Sequence, residues 1–157
     1  MFIFCLPAIL TRFLQDYDNY VKAFPDRKKP AVYTIVNCGF PEPENNTEAV
    51  RVIRCFGQRI GAEFRSGVLI GGGGMLTEAL DSPMVKKVIA DISRAITRMK
   101  EEITSGQGGA SEDVLTKVRV PRLLYFFMGG MGWRMAAKKY GLKKKELYAR
   151  PYMPSSI

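Results

Sequence analysis

Two short apolar runs constrain the fold of this chain more than any other feature. Ala31–Val36 and Gly67–Ile70 each end in a glycine-containing loop, and a segment with the apolar spacing of an amphipathic helix follows each. Short apolar strands that alternate with helices are typical of a parallel sheet covered by helices on both faces. The pattern therefore predicts an α/β protein in which these two runs are adjacent parallel strands.

Three segments have the spacing of helices with one buried face. We expect the first to begin at Pro7 and the second to begin at Asn46 or the next residue and to end at Gly61. The third begins at Pro83, a residue suited to the first helical turn. Met1–Phe4 is long enough for one further short strand. Even so, the sequence predicts fewer strands than a complete doubly wound sheet contains.

The composition excludes several classes of site. The chain has no histidine, which removes Ser-His-Asp triads, Cys-His pairs and the zinc sites that need imidazole. Its three cysteines form no C-x-x-C pair, so we predict neither a disulfide scaffold nor a thiolate metal site. The apolar start has no basic region before it, and no run approaches the ~18 apolar residues of a membrane span. These observations together predict a cytoplasmic protein without a metal.

The positive charge is confined to one end of the chain. Residues 1–113 hold equal numbers of basic and acidic side chains, whereas residues 114–157 hold ten basic and one acidic. The whole net charge of +9 therefore belongs to the second segment. We expect two parts, an α/β domain at 1–113 and a basic, helical C-terminal extension at 114–157. A nucleic-acid-binding domain would be basic throughout, so no nucleic-acid partner is expected.

The C-terminal extension combines aromatic and basic residues. Its aromatic side chains and the cations beside them are Tyr125, Phe126, Phe127, Trp133, Arg134, Lys138 and Lys139. Such a segment could lie on an anionic membrane surface, or it could pack its aromatic side chains inward and leave its lysines in solvent. Three glycines weaken one long helix there, which favours inward packing of Trp133 and of Phe126 or Phe127 over a membrane surface.

Ligands of open parallel sheets bind at the carboxyl ends of the strands. After the first strand come Asn37, Cys38, Gly39 and Phe40. The Asn37 amide can bind a polar heterocycle, and Gly39 can expose backbone N–H groups. The Phe40 ring can pack against a flat ligand ring. Cys38 has no histidine partner, so we interpret it as a small buried residue rather than a nucleophile. An ordinary strand-to-helix loop is the alternative interpretation.

The second strand is followed by four glycines, Gly71–Gly74, and Met75. No Lys-Ser or Lys-Thr follows, so the run is not a Walker loop, and Leu76 breaks the G-x-G-x-x-G spacing. Two interpretations remain, a tight structural turn and a backbone that a planar ligand approaches closely.

The ordered set of these segments resembles the flavodoxin-like NAD(P)H-dependent oxidoreductases, the FMN-reductase and quinone-reductase relatives of flavodoxin. The resemblance rests on Val32–Phe40, on Gly71–Met75 and on an ending that contains Gly132-Trp133, Gly141–Lys145 and Leu147-Tyr148. Leu6–Leu14 looks like the helix that follows the family's third strand. The likeness covers nearly the whole chain, but it corresponds to the C-terminal part of the family's domain.

This resemblance implies a flavodoxin-like, doubly wound parallel sheet that lacks its N-terminal strands. It implies FMN as cofactor, NAD(P)H as reductant and a small-molecule electron acceptor as substrate. The flavin carries the hydride chemistry in such enzymes, so no catalytic residue is named. The cofactor-binding residues that the resemblance assigns to this chain are Asn37, Cys38, Gly39, Phe40, Gly72, Gly73 and Met75.

The family's phosphate-binding loop after the first strand has no counterpart in this sequence, and the aromatic loop after the third strand is reduced to Leu6-Pro7-Ala8. We therefore expect a truncated gene product or a misassigned start, and weak FMN binding. The isolated chain should form a homo-oligomer through an exposed strand edge or an apolar face, or be only marginally stable. Two alternatives to the oxidoreductase remain open. One is a non-enzymatic subunit that completes its sheet by oligomerisation, and the other is a peripheral membrane module that uses the aromatic-basic extension.

Overall fold

A computed structural model of the chain describes residues 6–78, 81–118 and 121–149. The chain divides into two units, Met1–Arg119 and Val120–Ile157. The expected boundary at residue 114 differs from this division because Val114–Thr116 forms a strand of the first unit.

The first unit contains four helices and three strands within its described residues. In chain order they are α1 (Ala8–Ala23), β1 (Ala31–Asn37), α2 (Thr47–Arg59), β2 (Glu63–Ile70), α3 (Gly73–Glu78), α4 (Pro83–Ser105) and β3 (Val114–Thr116). A 3₁₀ turn, Pro43–Asn46, precedes α2. The predicted starts of the second and third helices are confirmed. Gly61, with φ of 67°, lies just beyond α2, as expected for a residue that ends a helix.

The sheet is parallel and has the order β1-β2-β3. In β1 and β2, Asn37 pairs with Ile70, and a bulge lies between Val32 and Tyr33. The prediction that Ala31–Val36 and Gly67–Ile70 are adjacent parallel strands is therefore confirmed. The strand at Val114–Thr116 was not predicted, and the possible strand at Met1–Phe4 lies outside the described residues.

Helices pack on both faces of this sheet, which confirms the three-layer α/β architecture. On one face, α1 and α2 cover a cluster that contains Val50, Ile53, Phe64 and Leu69. On the other face, α4 covers a second cluster that contains Val68, Ile70 and Met99. Successive residues of β2 thus contribute to opposite layers, as the period of a strand requires. Three parallel strands in the order β1-β2-β3 with helices on both faces are consistent with the expected flavodoxin-like fold class.

The second unit consists of α5 (Arg122–Lys139) and a 3₁₀ turn at Lys144–Tyr148 within its described residues. The helix continues through Gly129, Gly130 and Gly132, which we expected to weaken it. The basic side chains of Arg134, Lys138 and Lys139 are exposed, as predicted.

The expected inward packing of the aromatic residues of α5 is wrong. Phe126, Phe127 and Trp133 are 66%, 68% and 75% exposed. Apolar residues are distributed around all sides of this helix, so it has no single apolar face that could bury them together.

Candidate functional site

The loops that follow β1 and β2 are hydrogen-bonded to each other. The backbone N–H of Gly73 donates to the carbonyl oxygen of Cys38 at 2.9 Å, and that of Gly72 donates to the carbonyl oxygen of Phe40 at 2.6 Å. The N–H of Cys38 donates in turn to the carbonyl oxygen of Ile70 at 3.0 Å. The two groups of residues that the sequence assigned to a site therefore meet at the carboxyl edge of the sheet.

Close approach of these loops explains the glycines. A Cβ at Gly71 would overlap the backbone of Pro41, and a Cβ at Gly73 would overlap the Asn37 carboxamide. Gly72 has φ of 75°, a conformation that favours glycine. A Cβ at Gly74 would meet no atom within 4 Å. The structural requirement at residues 71–73 is therefore contact with the neighbouring loop, and the run also begins α3 at Gly73.

The side chains of this edge differ in exposure. Asn37 is exposed, Phe40 is 42% exposed, and Cys38 is half-buried. The Cys38 thiol lies 3.4 Å from the Phe40 carbonyl oxygen and 3.6 Å from that of Glu42, and it donates to them. Cys38 thus holds the shape of its own loop, while Asn37 and Phe40 present an amide and an aromatic ring to solvent. For Met75, the structure places the backbone in α3.

Asn46 is a buried polar residue of this edge whose role the sequence did not reveal. It stands at the N-cap of α2, but its side chain makes no capping hydrogen bond. Instead, Nδ2 donates to the carbonyl oxygen of Ile70 at 3.0 Å and lies 3.5 Å from that of Val36. An asparagine before a helix is interpreted first as a cap, so the pattern alone gave no sign of this bridge between strand ends.

Thr116 completes the edge from β3. Its backbone carbonyl accepts the Gly71 N–H at 3.0 Å, and its hydroxyl donates to the Leu69 carbonyl oxygen at 3.3 Å. Because β3 was not predicted, Thr116 could not be assigned to the site. With Gly71, Gly72 and Gly73 all donating to protein carbonyls, these glycine N–H groups shape the loop and are not directed at a ligand.

The pKa shifts that the structure resolves lie in an ion pair between α1 and α2. Arg59 donates two hydrogen bonds of 3.0 Å to Asp18 and holds the pKa of that carboxyl at about 2. Arg59 is the last residue of α2, which leads into the amino end of β2, so this pair lies at the opposite edge of the sheet. No cluster of three or more His, Cys, Asp or Glu residues suited to a metal ion occurs in the part of the chain that is described.

A cleft of about 330 Å³ also lies at the amino edge, lined in part by Tyr33, Arg65 and Glu102. The Nε of Arg65 and one carboxylate oxygen of Glu102 are buried there without a hydrogen-bond partner. Each side chain still forms an ion pair through its other atoms, with Glu63 and Arg98 respectively. Both residues are thus engaged in ion pairs at the amino end of the strands.

Comparison with protein-family models, curated proteins and solved structures found no match to this chain.

Proposed function

We propose that the chain is the flavin-binding part of a flavodoxin-like, FMN-dependent NAD(P)H oxidoreductase. The observation that carries this proposal is the hydrogen-bonded junction of the β1 and β2 loops at the carboxyl edge of a parallel sheet, where ligands of such sheets bind. Bound FMN would take a hydride from NAD(P)H and reduce a small-molecule electron acceptor. Cys38 and Cys55 are free thiols, which supports a reducing compartment such as the cytoplasm.

The residues at this edge fit one side of a flavin ring. The exposed Asn37 amide offers both donors and an acceptor to the ring's polar edge, and Phe40 offers an aromatic wall. Gly39 leaves open space beside them, since a Cβ there would meet no atom within 4 Å. In this proposal Gly72 and Gly73 position the Asn37–Phe40 loop, and α3, with only six residues, does not serve as a phosphate site.

Because the fit concerns the ring and not the phosphate, the proposal predicts an unusual ligand profile. Riboflavin and FMN should bind this chain with nearly equal, micromolar affinity in a fluorescence titration. Asn37→Ala and Phe40→Leu should each weaken both ligands several-fold, since each removes one ring contact. The matched controls are Asn19→Ala and Phe24→Leu, the same changes at exposed positions outside this edge. Binding weaker than 1 mM (about 4 kcal/mol), or equal effects of site and control variants, would contradict the proposal.

The exposed side of β1 favours a second candidate function, a subunit that completes its sheet with another copy. Within the described residues β1 pairs only with β2, and Ile35 on β1 is 52% exposed. Strand edges of this kind pair with other chains unless they are blocked. Sedimentation velocity should therefore show a concentration-dependent dimer that Ile35→Lys dissociates and Ile9→Lys, on α1, leaves intact. A monomer at all concentrations would exclude this function.

A further inference from the structure

An uncharged stretch of α5, Leu123–Trp133, carries large apolar side chains in contact with solvent. Leu123, Phe127 and Trp133 are 87%, 68% and 75% exposed. Monomeric soluble proteins rarely expose this much apolar surface on a helix. Such a surface therefore marks a site of interaction. From Tyr125 onward, where the N–H donates to the Pro121 carbonyl oxygen, the N–H groups of the stretch have acceptors within the helix.

Cations bound this apolar stretch at both ends. Arg122 precedes it and Arg134 follows it, and a basic cluster continues through Lys138, Lys139, Lys143 and Lys145. The segment from residue 114 onward carries the entire net charge of +9. A partner must therefore combine an apolar phase with a high density of negative charge. An anionic lipid leaflet has both, with its acyl chains below its phosphates.

The dimensions determine how such a helix would lie. Its eleven-residue apolar stretch is about 16 Å long, whereas the hydrocarbon core of a bilayer is ~30 Å thick. None of the helices in the described part of the chain is long and apolar enough to cross a membrane. With cations at both ends, each end must remain at the same interface. Trp133 and Tyr140 flank the start of the basic cluster, and such aromatic residues favour the headgroup level.

We infer that α5 binds the surface of anionic membranes. The side chains of Leu123–Trp133 enter the boundary between headgroups and acyl chains, and the basic cluster contacts the lipid phosphates. Nucleic acid fits this surface less well because the exposed Leu123–Trp133 stretch has no cation that could contact phosphates.

Trp133 is the only tryptophan of the chain, so its fluorescence reports directly on the proposed surface. The full chain is mixed with vesicles of phosphatidylcholine containing 30% phosphatidylglycerol, or of phosphatidylcholine alone, at 50 mM and 500 mM salt. We expect a blue shift of the emission with the anionic vesicles at low salt and its loss at high salt. No shift with anionic vesicles, or an equal shift with both compositions, would overturn the inference.

Variants separate the contribution of the basic side chains to vesicle binding from that of the apolar side chains. Lys138→Gln with Lys139→Gln should lower the vesicle partition constant roughly 25-fold, about fivefold for each charge removed. Lys86→Gln with Lys87→Gln makes the same change at exposed positions of α4 and should leave it unchanged. Phe126→Ser with Phe127→Ser should reduce the blue shift, because two large apolar side chains are removed while the charge is retained. Equal effects of the two lysine pairs would overturn the assignment to α5.

Two further outcomes would also overturn the inference. A blue shift that rises with protein concentration in the absence of lipid would identify a second copy of the chain as the occupant of this surface. A shift produced equally by single-stranded RNA without vesicles would identify nucleic acid instead. All substituted side chains are exposed, so we expect each variant to retain the fold. Circular dichroism of each variant checks this.

Discussion

The side chain of Asn46 donates a hydrogen bond of 3.0 Å to the carbonyl oxygen of Ile70, and so joins the start of α2 to the end of β2. Asn46 is only 4% exposed, and its Nδ2 also lies 3.5 Å from the Val36 carbonyl oxygen, at the end of β1. One amide therefore links the two strand ends from which the candidate site emerges.

Removal of this amide should destabilise the protein. Asn46→Ala removes the side-chain donor to the Ile70 carbonyl, which still accepts the Cys38 N–H, and we expect a loss of about 0.5–1.5 kcal/mol in the free energy of unfolding. Urea denaturation measures this free energy of unfolding. The matched control is Asn45→Ala in the same 3₁₀ turn, where the residue is half-buried and the cost should be smaller. Equal losses for the two variants would show that the bridge contributes nothing.

Gly71 and Gly74 should respond to alanine with opposite signs. At Gly71 the added Cβ overlaps the Pro41 backbone, so the loops must separate, at a cost of about 1–3 kcal/mol. At Gly74, within α3, the Cβ enters open space, and alanine should stabilise the helix by about 0.5–1 kcal/mol. Thermal unfolding of both variants tests this pair. A neutral Gly71→Ala would mean that the loops are not in close contact.

The sequence predicted those parts of the fold that depend on local patterns. Ala31–Val36 and Gly67–Ile70 were recognisable because each is a continuous apolar run, and α4 because its apolar residues recur at helical spacing. Val114–Thr116 was not recognisable, since a three-residue strand between charged residues is defined by its partner β2 and not by its own composition. The packing of α5 was mispredicted because exposure depends on what a helix contacts, which periodicity alone does not contain.

The candidate site was predictable in its location but not in its construction. The rule that ligands bind at the carboxyl ends of parallel strands led to Asn37–Phe40 and Gly71–Met75. It could not show that the glycine N–H groups donate to Cys38 and Phe40, because those hydrogen bonds join segments more than thirty residues apart. The sequence alone could not decide whether the glycines form a tight turn or allow a ligand to approach the backbone. The structure shows that the neighbouring loop makes the close contact.

A second long-range contact, between Asp113 and β2, should also be measurable. Asp113 accepts hydrogen bonds from the Gly67 N–H at 2.8 Å and from Arg54 at 2.7 Å. Asp113→Ala leaves the Gly67 N–H without this acceptor and should cost about 1–3 kcal/mol in unfolding free energy. Asp113→Asn keeps an acceptor and should cost less, and Glu112→Ala, at an exposed neighbour, provides the control. A loss from Glu112→Ala as large as that from Asp113→Ala would contradict this assignment.

The ion pair of Asp18 with Arg59 predicts that the stability of the folded state depends on pH in the acidic range. Hydrogen bonds from Arg59, and then from Lys22, hold the pKa of Asp18 at about 2, below its ordinary value of 3.8. The folded state thus binds this proton less readily than the unfolded state does. The resulting stabilisation is complete above about pH 4 and is lost as the pH falls towards 2.

Asp18→Asn removes that stabilisation. The difference in stability between this variant and the parent protein should therefore be largest at neutral pH and should narrow as the pH falls from 4 to 2. Urea midpoints measured across this range test it. Asp16→Asn, on the same helix, removes a carboxylate paired with Arg12, and both of those side chains are more than half exposed. Its cost at neutral pH should be smaller, because exposed ion pairs contribute little. A difference for Asp18→Asn that widened in acid would have the wrong sign and would refute the assignment.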